Sequence, residues 1–265
     1  MQYWSLRGLI PYEKASELQR KLVDLRARDQ IPDTFLFLEH EPVITRGRGL
    51  QFVPGRTDKH KPLPPVLPKG VSFSESERGG DLTYHGPGQW VVYPIFKLSG
   101  DHLLAPHHDI AAFLRGIEKV LIDLLSELGL QAESRENATG VWVGDKKVAS
   151  IGIAIRKWVS WHGLALNVVN DLEPFYCFDP CGFQPKVMAS IQSLGVWSQG
   201  QGRAAAFPEQ WRSHLENRWM DLVTKKLSES DSHTRSAEIR SLTLEDALAA
   251  VVDQIPEGSF RAGDY

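Results

Sequence analysis

The chain has 265 residues, 42% of them hydrophobic and 24% charged, with a formal net charge of −3. That composition belongs to an ordinary folded chain of one large or two small domains, and it excludes disordered, fibrous and bulk nucleic-acid-binding classes, the last of which need a strongly basic face. The two cysteines, Cys177 and Cys181, are too few for a disulfide scaffold; no apolar run reaches the length of a membrane span, and MQYWSLRGLIPYEKA lacks a secretory pattern, so a soluble cytoplasmic chain is expected.

In chain order, residues 3–10 read as a short strand ended by Pro11. Residues 12–29 read as a helix, with Ala15, Leu18, Leu22 and Leu25 on one stripe. TFLFLE (34–39) is a strand candidate, and His40–Gly49 carries the polar and glycine punctuation of a loop. Residues 54–70 hold Pro54, Pro62, Pro64, Pro65 and Pro68 and cannot make a regular ladder. They fit a surface insertion or a flap over a substrate. QWVVYPIF (89–96) is an apolar strand, and 109–128 is the clearest helix, with Gly129 at its end. VWV and KKVASIGIAI then form two strands around Gly144-Asp145, and 161–169 another strand. A helix returns at 207–227, with Trp211, Leu215, Trp219, Leu222 and Val223 on its buried stripe. Residues 228–241 are a polar connector, and Thr243 with Asp246 can cap a last helix through Val252. The pattern predicts an α/β or α+β fold with a mixed, largely antiparallel sheet. The expected division is a catalytic domain over 1–227, with an insertion at 54–70, followed by a C-terminal extension over 228–265.

Three segments could carry chemistry. In RGGDLTYHGPGQ (78–89) glycines let backbone approach a ligand, although a plain tight turn fits equally well. In GDKKVASIGIAI (144–155) strand alternation places Lys147, not Lys146, in a row with Ala149, Ile151, Ile153 and Ile155. A lysine ending an apolar row is a candidate base; it could equally snorkel to water, and a bulge would change the face. In FDPCGF (178–183) Pro180 and Gly182 hold Cys181 on a turn, where it could be a nucleophile or an inert thiol. Zinc at Cys177 and Cys181, with His162 in reserve, lacks a second ligand pair.

These segments, in this order, resemble the lipoyl(octanoyl) transferase B family, together with EHEPVITRG (39–47) and HGLALNV (162–168). The resemblance spans roughly residues 3–195 and implies a fold similar to the biotin and lipoate protein ligases. It implies Cys181 as the acyl-carrying nucleophile and Lys147 as the lysine that activates it. It implies a substrate-binding loop of Arg78, Gly79, Gly80, Asp81, Leu82, Thr83, Tyr84 and His85. Ser150, Ile151 and Gly152, with Gly163, Leu164 and Ala165, would line the acyl site. The implied donor is octanoyl-acyl carrier protein; the implied acceptors are lipoyl domains of 2-oxoacid dehydrogenase complexes and the glycine cleavage H protein. No metal, nucleotide or organic cofactor, no nucleic acid and no membrane is required, and a monomer is expected. An acidic carrier would favour a basic rim, for which Arg46, Arg48, Arg156 and Lys157 are candidates. The competing readings are an ATP-dependent lipoate or biotin ligase, which would not need Cys181, a cysteine hydrolase, and a non-catalytic acyl-carrier-binding protein.

Overall fold

The computed structural model describes residues 1–49, 66–99, 104, 108–136, 138–180, 184–196, 210–228 and 238–252. The chain opens with strand β1 (Gln2–Ile10), helix α1 (Tyr12–Ala27) and strand β2 (Thr34–His40). β1 and β2 pair in parallel, so α1 is the crossover between them. Next come the short strands β3 (Val43–Arg46), β4 (Ser72–Glu75) and β5 (Leu82–His85), then β6 (Gln89–Ile95) and helix α2 (Ile110–Glu127). Strands β7 (Ala132–Ser134), β8 (Val141–Val143), β9 (Lys146–Arg156) and β10 (Val159–Asn167) follow as hairpins. Helix α3 (Trp211–Ser228), strand β11 (Ile239–Leu242) and helix α4 (Leu244–Val252) complete the described elements.

Among the described residues the strands form two sheets. The larger runs β11-β1-β2-β6-β10-β9-β8-β7 and the smaller β4-β3-β5. Only β11–β1 and β1–β2 are parallel in the large sheet, so the expectation of a largely antiparallel mixed sheet holds.

Each face of the large sheet has its own core. On one face Trp90 and Val92 of β6 and Leu164 and Leu166 of β10 pack with α2 and α3, through residues including Phe113, Ile117, Leu121, Leu215 and Trp219. On the other, Val91, Tyr93, Trp161 and Ala165 pack with α1 and α4. Strand alternation separates these sets, and burying both faces explains why β6 and β10 are buried at every position.

Three local expectations change. Residues 40–49 are not a loop throughout: Val43–Arg46 pairs antiparallel with β5 and parallel with β4. The glycine-rich 78–89 segment likewise contains β5. Both strands are four residues long, too short for periodicity to stand out against glycine and proline. The connector beyond residue 228 holds β11, which pairs in parallel with β1. The capping box forms as expected: Thr243 N donates to Asp246 Oδ2 (3.2 Å) and Asp246 N to Thr243 Oγ1 (3.0 Å). Ala247 and Val251 of α4 are buried against the α1-side core. The proline-rich residues 54–65 lie outside the described residues. Among the described residues no helix is long and apolar enough to cross a membrane.

Candidate active site

The site begins with a hairpin. Val143 pairs with Lys146 across Gly144-Asp145, and Trp142 pairs with Lys147. The next pair is Val141 with Ala149, so one residue, Val148, is extra on β9. This is a β-bulge. It changes the face expected for Lys147. Ala149 and Ile151, with the partly buried Ile153 and Ile155, do form a row on the α2 side. Lys147 stands opposite Trp142, its Nζ 5.8 Å from that ring's centroid, and by alternation points to the other side of the sheet. It is also not a rim residue, being 2% exposed.

Neighbouring backbone fixes that position. Ala189 N donates to the Lys147 carbonyl (3.0 Å), and Met188 bridges to Lys147 in parallel. Asn167 Nδ2 donates to the Ala189 carbonyl (3.1 Å), and Ile191 N to the Asn167 carbonyl (2.9 Å). The chain over 188–191 is therefore clamped between β9 and β10. Gly140 leaves room for the lysine side chain. A Cβ there would lie 2.7 Å from Lys147 Cε and 3.3 Å from Nζ. Gly140 extends the Val141–Ala149 pairing by one residue, to the level of Ser150, so the Lys147 amine is level with Ser150. Glu118 of α2 accepts from Gly140 N (3.3 Å) at the same corner, and burial pushes its carboxyl up.

From Ser150 a cleft runs along β9 and β10 on the α1 side. All the proposed substrate-binding residues line it except Asp81, Leu82 and Tyr84. Strand alternation explains two of these exceptions. On β5, Thr83 and His85 face the cleft, while Leu82 and Tyr84 pack with Ile44, Phe175, Phe178 and Met188. Asp81 contributes its carbonyl, which accepts from Arg78 Nη2 (2.7 Å) and Gly47 N (3.1 Å).

Arg78 builds the cleft roof. Its Nη2 also donates to Thr45 O and Oγ1 (2.9 Å each), and Nη1 to Gly79 O (3.0 Å). Gly79 N donates to Ile153 O (2.9 Å), which lays the loop across β9 and uses one N–H that could have served as an oxyanion donor. Gly152 permits the crossing, because a Cβ there would stand 2.8 Å from Gly79 O.

Tyr12, Tyr93 and His162 also line the cleft, and with them stands His40, which the sequence reading treats only as part of a loop. The Ile10 carbonyl can only accept, so His40 Nδ1 (2.8 Å) carries the proton and Nε2 accepts from the Tyr93 hydroxyl (2.7 Å). Gln89 Nε2 donates to Tyr84 O (3.1 Å) and Asn167 Oδ1 (2.9 Å), which leaves Gln89 Oε1 to accept from His85 Nδ1 (2.7 Å). The same reasoning leaves His85 Nε2 without a proton. His162 has φ 55°. This left-handed residue breaks strand alternation, so its ring stacks on that of its neighbour Trp161 (4.1 Å) and also on Tyr12 (6.3 Å). Burial holds His40 at about 4 and His162 at about 3, the latter helped by the Arg78 charge. Burial, then His40 and Arg78, hold His85 well below the usual imidazole value. All three are neutral near pH 7.

Cys181 and Gly182 lie outside the described residues. Cys177 is exposed and free, in the 3-10 helix Glu173–Cys177. Three of the four basic rim candidates have carboxylate partners: Arg46 with Glu75, Arg48 with Glu77 (2.9 Å) and Lys157 with Asp24 (3.1 Å).

The mixed sheet and its packed helices have the fold of the lipoate-protein ligases. P. falciparum LipL1 in complex with lipoate superposes with TM-score 0.62, covering 96% of this chain and 70% of that one at 8% identity. The bipartite lipoate protein ligase of Thermoplasma acidophilum superposes with TM-score 0.57, covering 100% and 99% at 15% identity. These likenesses concern the fold. Residues 11–200 match the lipoyl protein ligase A/B catalytic domain, and the chain belongs to that family. An octanoyltransferase of Dictyoglomus thermophilum is 44% identical over 185 residues, 70% of this chain and 74% of the relative. One of Gloeobacter violaceus is 42% identical over 186 residues, 70% and 78% respectively. The protein is thus an acyltransferase enzyme.

Proposed function

We propose that the enzyme transfers an octanoyl group from octanoyl-acyl carrier protein to a lysine of lipoyl domains, through a thioester on Cys181 with Lys147 as proton partner. The observation that carries this reading is the placement of Lys147. It is buried, level with the start of the cleft, and held by the 188–191 segment, which follows Cys181 closely in the sequence.

The chemistry has two steps. The Lys147 amine takes the Cys181 proton, and the thiolate attacks the donor carbonyl. The carrier thiolate leaves and receives that proton, which makes one thioester from another. The neutral acceptor lysine then attacks the enzyme thioester, and Lys147 takes the proton released as the amide forms. Cys181 departs as thiolate beside a protonated Lys147. An ordinary cysteine is only a few per cent thiolate at pH 7, so the neighbouring ammonium has a definite task. Burying about six methylenes at ~0.8 kcal/mol each contributes roughly 5 kcal/mol, enough for the tail to matter in recognition. The site would thus favour octanoyl over short acyl groups.

Intact-mass measurement after mixing with octanoyl-acyl carrier protein tests the scheme. An octanoyl adduct is expected on wild type, none on Cys181→Ala, and a slowly formed one on Lys147→Ala. ATP-dependent attachment of free octanoate by an active Cys181→Ala enzyme would instead establish a ligase. A fast Lys147→Ala enzyme would remove the lysine from its role.

A further inference from the structure

The far end of the cleft differs from its walls. Ser150, Gly152, Gly163 and Ala165 give it small sides, while Ile151 and Leu164, which also line it, send their side chains into the α2-side core. Toward its far end lie the Gly79–Ile153 hydrogen bond and the lining residues Arg78, Tyr12 and His162. His162 is 2% exposed, and neither ring nitrogen has a hydrogen-bond partner among the described residues. Arg78 Nε is buried in the same condition, although the terminal nitrogens of that guanidinium are engaged by the loop. A purely apolar tail leaves such groups unsatisfied, at a cost comparable to a lost hydrogen bond for each.

The length of the cleft relates this end to the acyl group. His162 is paired with Ile153, three residues beyond Ser150, or about 10 Å at roughly 3.3 Å per residue. An extended octanoyl chain, with seven C–C bonds of about 1.5 Å in zigzag, spans roughly 9 Å from carbonyl to terminal carbon. With the carbonyl level with Ser150 and the Lys147 amine, the terminal carbon reaches His162.

We propose that His162, with Arg78 Nε beside it, is a specificity-determining site for acyl chains that carry a hydrogen-bonding atom at the far end. A hydroxyl fits because it both donates and accepts. It can take the Arg78 Nε–H and complete the hydrogen bonding of one imidazole nitrogen. The burial and the Arg78 charge that keep His162 neutral suit a neutral group there and disfavour a cationic one. The inference rests on the octanoyl-transfer reading, which supplies the direction of the chain.

The test compares octanoyl- with 7-hydroxyheptanoyl-acyl carrier protein, in which a hydroxyl replaces the terminal methyl. Transfer to a lipoyl domain gives the kcat/KM ratio, and calorimetry with the two free acids gives a binding ratio independent of turnover. Wild type is expected to take the hydroxyl chain at least as well as octanoyl, whereas an apolar end would disfavour it by about tenfold. His162→Phe, which keeps the ring and removes both nitrogens, should lower the hydroxyl-to-octanoyl ratio by about tenfold. His162→Asn should restore most of it. A wild-type ratio tenfold below one, or a His162→Phe ratio within twofold of wild type, would overturn the proposal. Failure of octanoyl transfer itself, with the binding preference intact, would count against the transferase reading and not against this site.

Discussion

The side chain of Lys147 reaches the start of the cleft through two local exceptions to regular structure. The bulge at Val148 turns it from the isoleucine row to the side of Trp142, and Gly140 leaves it a path. Strand periodicity alone singles out Lys147 as distinct from Lys146, but it assigns the wrong face, because one extra residue reverses the parity of everything before it. Gly140→Ala isolates this effect. The new Cβ would stand 2.4 Å from the Ala149 carbonyl, which is backbone, and 2.7 Å from Lys147 Cε, and the site's φ of 130° is itself unfavourable for alanine. If Lys147 is the proton partner, displacing it should lower octanoyl-transfer kcat/KM by on the order of 10–100-fold. The effect should fall on adduct formation in single turnover; a wild-type rate in a folded Gly140→Ala enzyme would show that the lysine's path does not matter.

Elements divide into those that sequence pattern reveals and those that only pairing reveals. Helices α1 and α3 bury the predicted stripes, Leu222 only in part, because 3.6-residue periodicity persists over several turns. The four-residue strands β3, β4, β5 and β11 leave no such trace; each is defined by its partner. The β9–β10 hairpin also lacks a sequence signal, since its turn is Lys157-Trp158, both at positive φ, where Asn-Gly would be usual. Its neighbours stabilise it: Leu98 N donates to Trp158 O (2.7 Å), and the His108 ring lies 4.0 Å from that of Trp158. α3 is fastened by one polar residue as well as by its tryptophans. Arg212 donates to Glu216 (2.8 Å), Ser5 Oγ (3.1 Å) and the Phe37 carbonyl (3.1 Å), and Ser5 in turn donates to Glu216 (2.9 Å). Removing one member of a largely buried charged network leaves the other uncompensated. Arg212→Ala should therefore cost about 3 kcal/mol in denaturant unfolding. A loss under 0.5 kcal/mol would mean that the apolar stripe alone holds the helix.

For the whole molecule, the buried histidines tie stability to pH. His40, His85 and His162 have depressed folded-state values, so each is neutral when folded and titrates near 6.5 when unfolded. Below pH 6.5 the unfolded chain binds protons that the folded chain refuses, and stability falls as pH drops. The window for His40 runs from 6.5 down to about 4, and for His162 down to about 3. Each histidine contributes a slope of up to about 1.4 kcal/mol per pH unit there. Urea midpoints between pH 7 and 4.5 should fall steeply, and less so in His162→Phe; an unchanged slope in that variant would show that His162 is protonated in the fold.

The sequence by itself determined the elements with long periodicity, the mixed sheet, the capping box at Thr243, and the glycine-bearing segments that form the cleft, because each depends on residues close together in the chain. It also presented Lys147 and Cys181 as candidates through local pattern and family resemblance. Only the tertiary structure decided which residues of 78–85 face the cleft, which side of the sheet Lys147 occupies, and that His40, His85 and His162 meet around Tyr12 and Tyr93. A bulge, a left-handed histidine and a four-residue strand each follow from contacts between segments far apart in sequence, and no local pattern encodes those contacts.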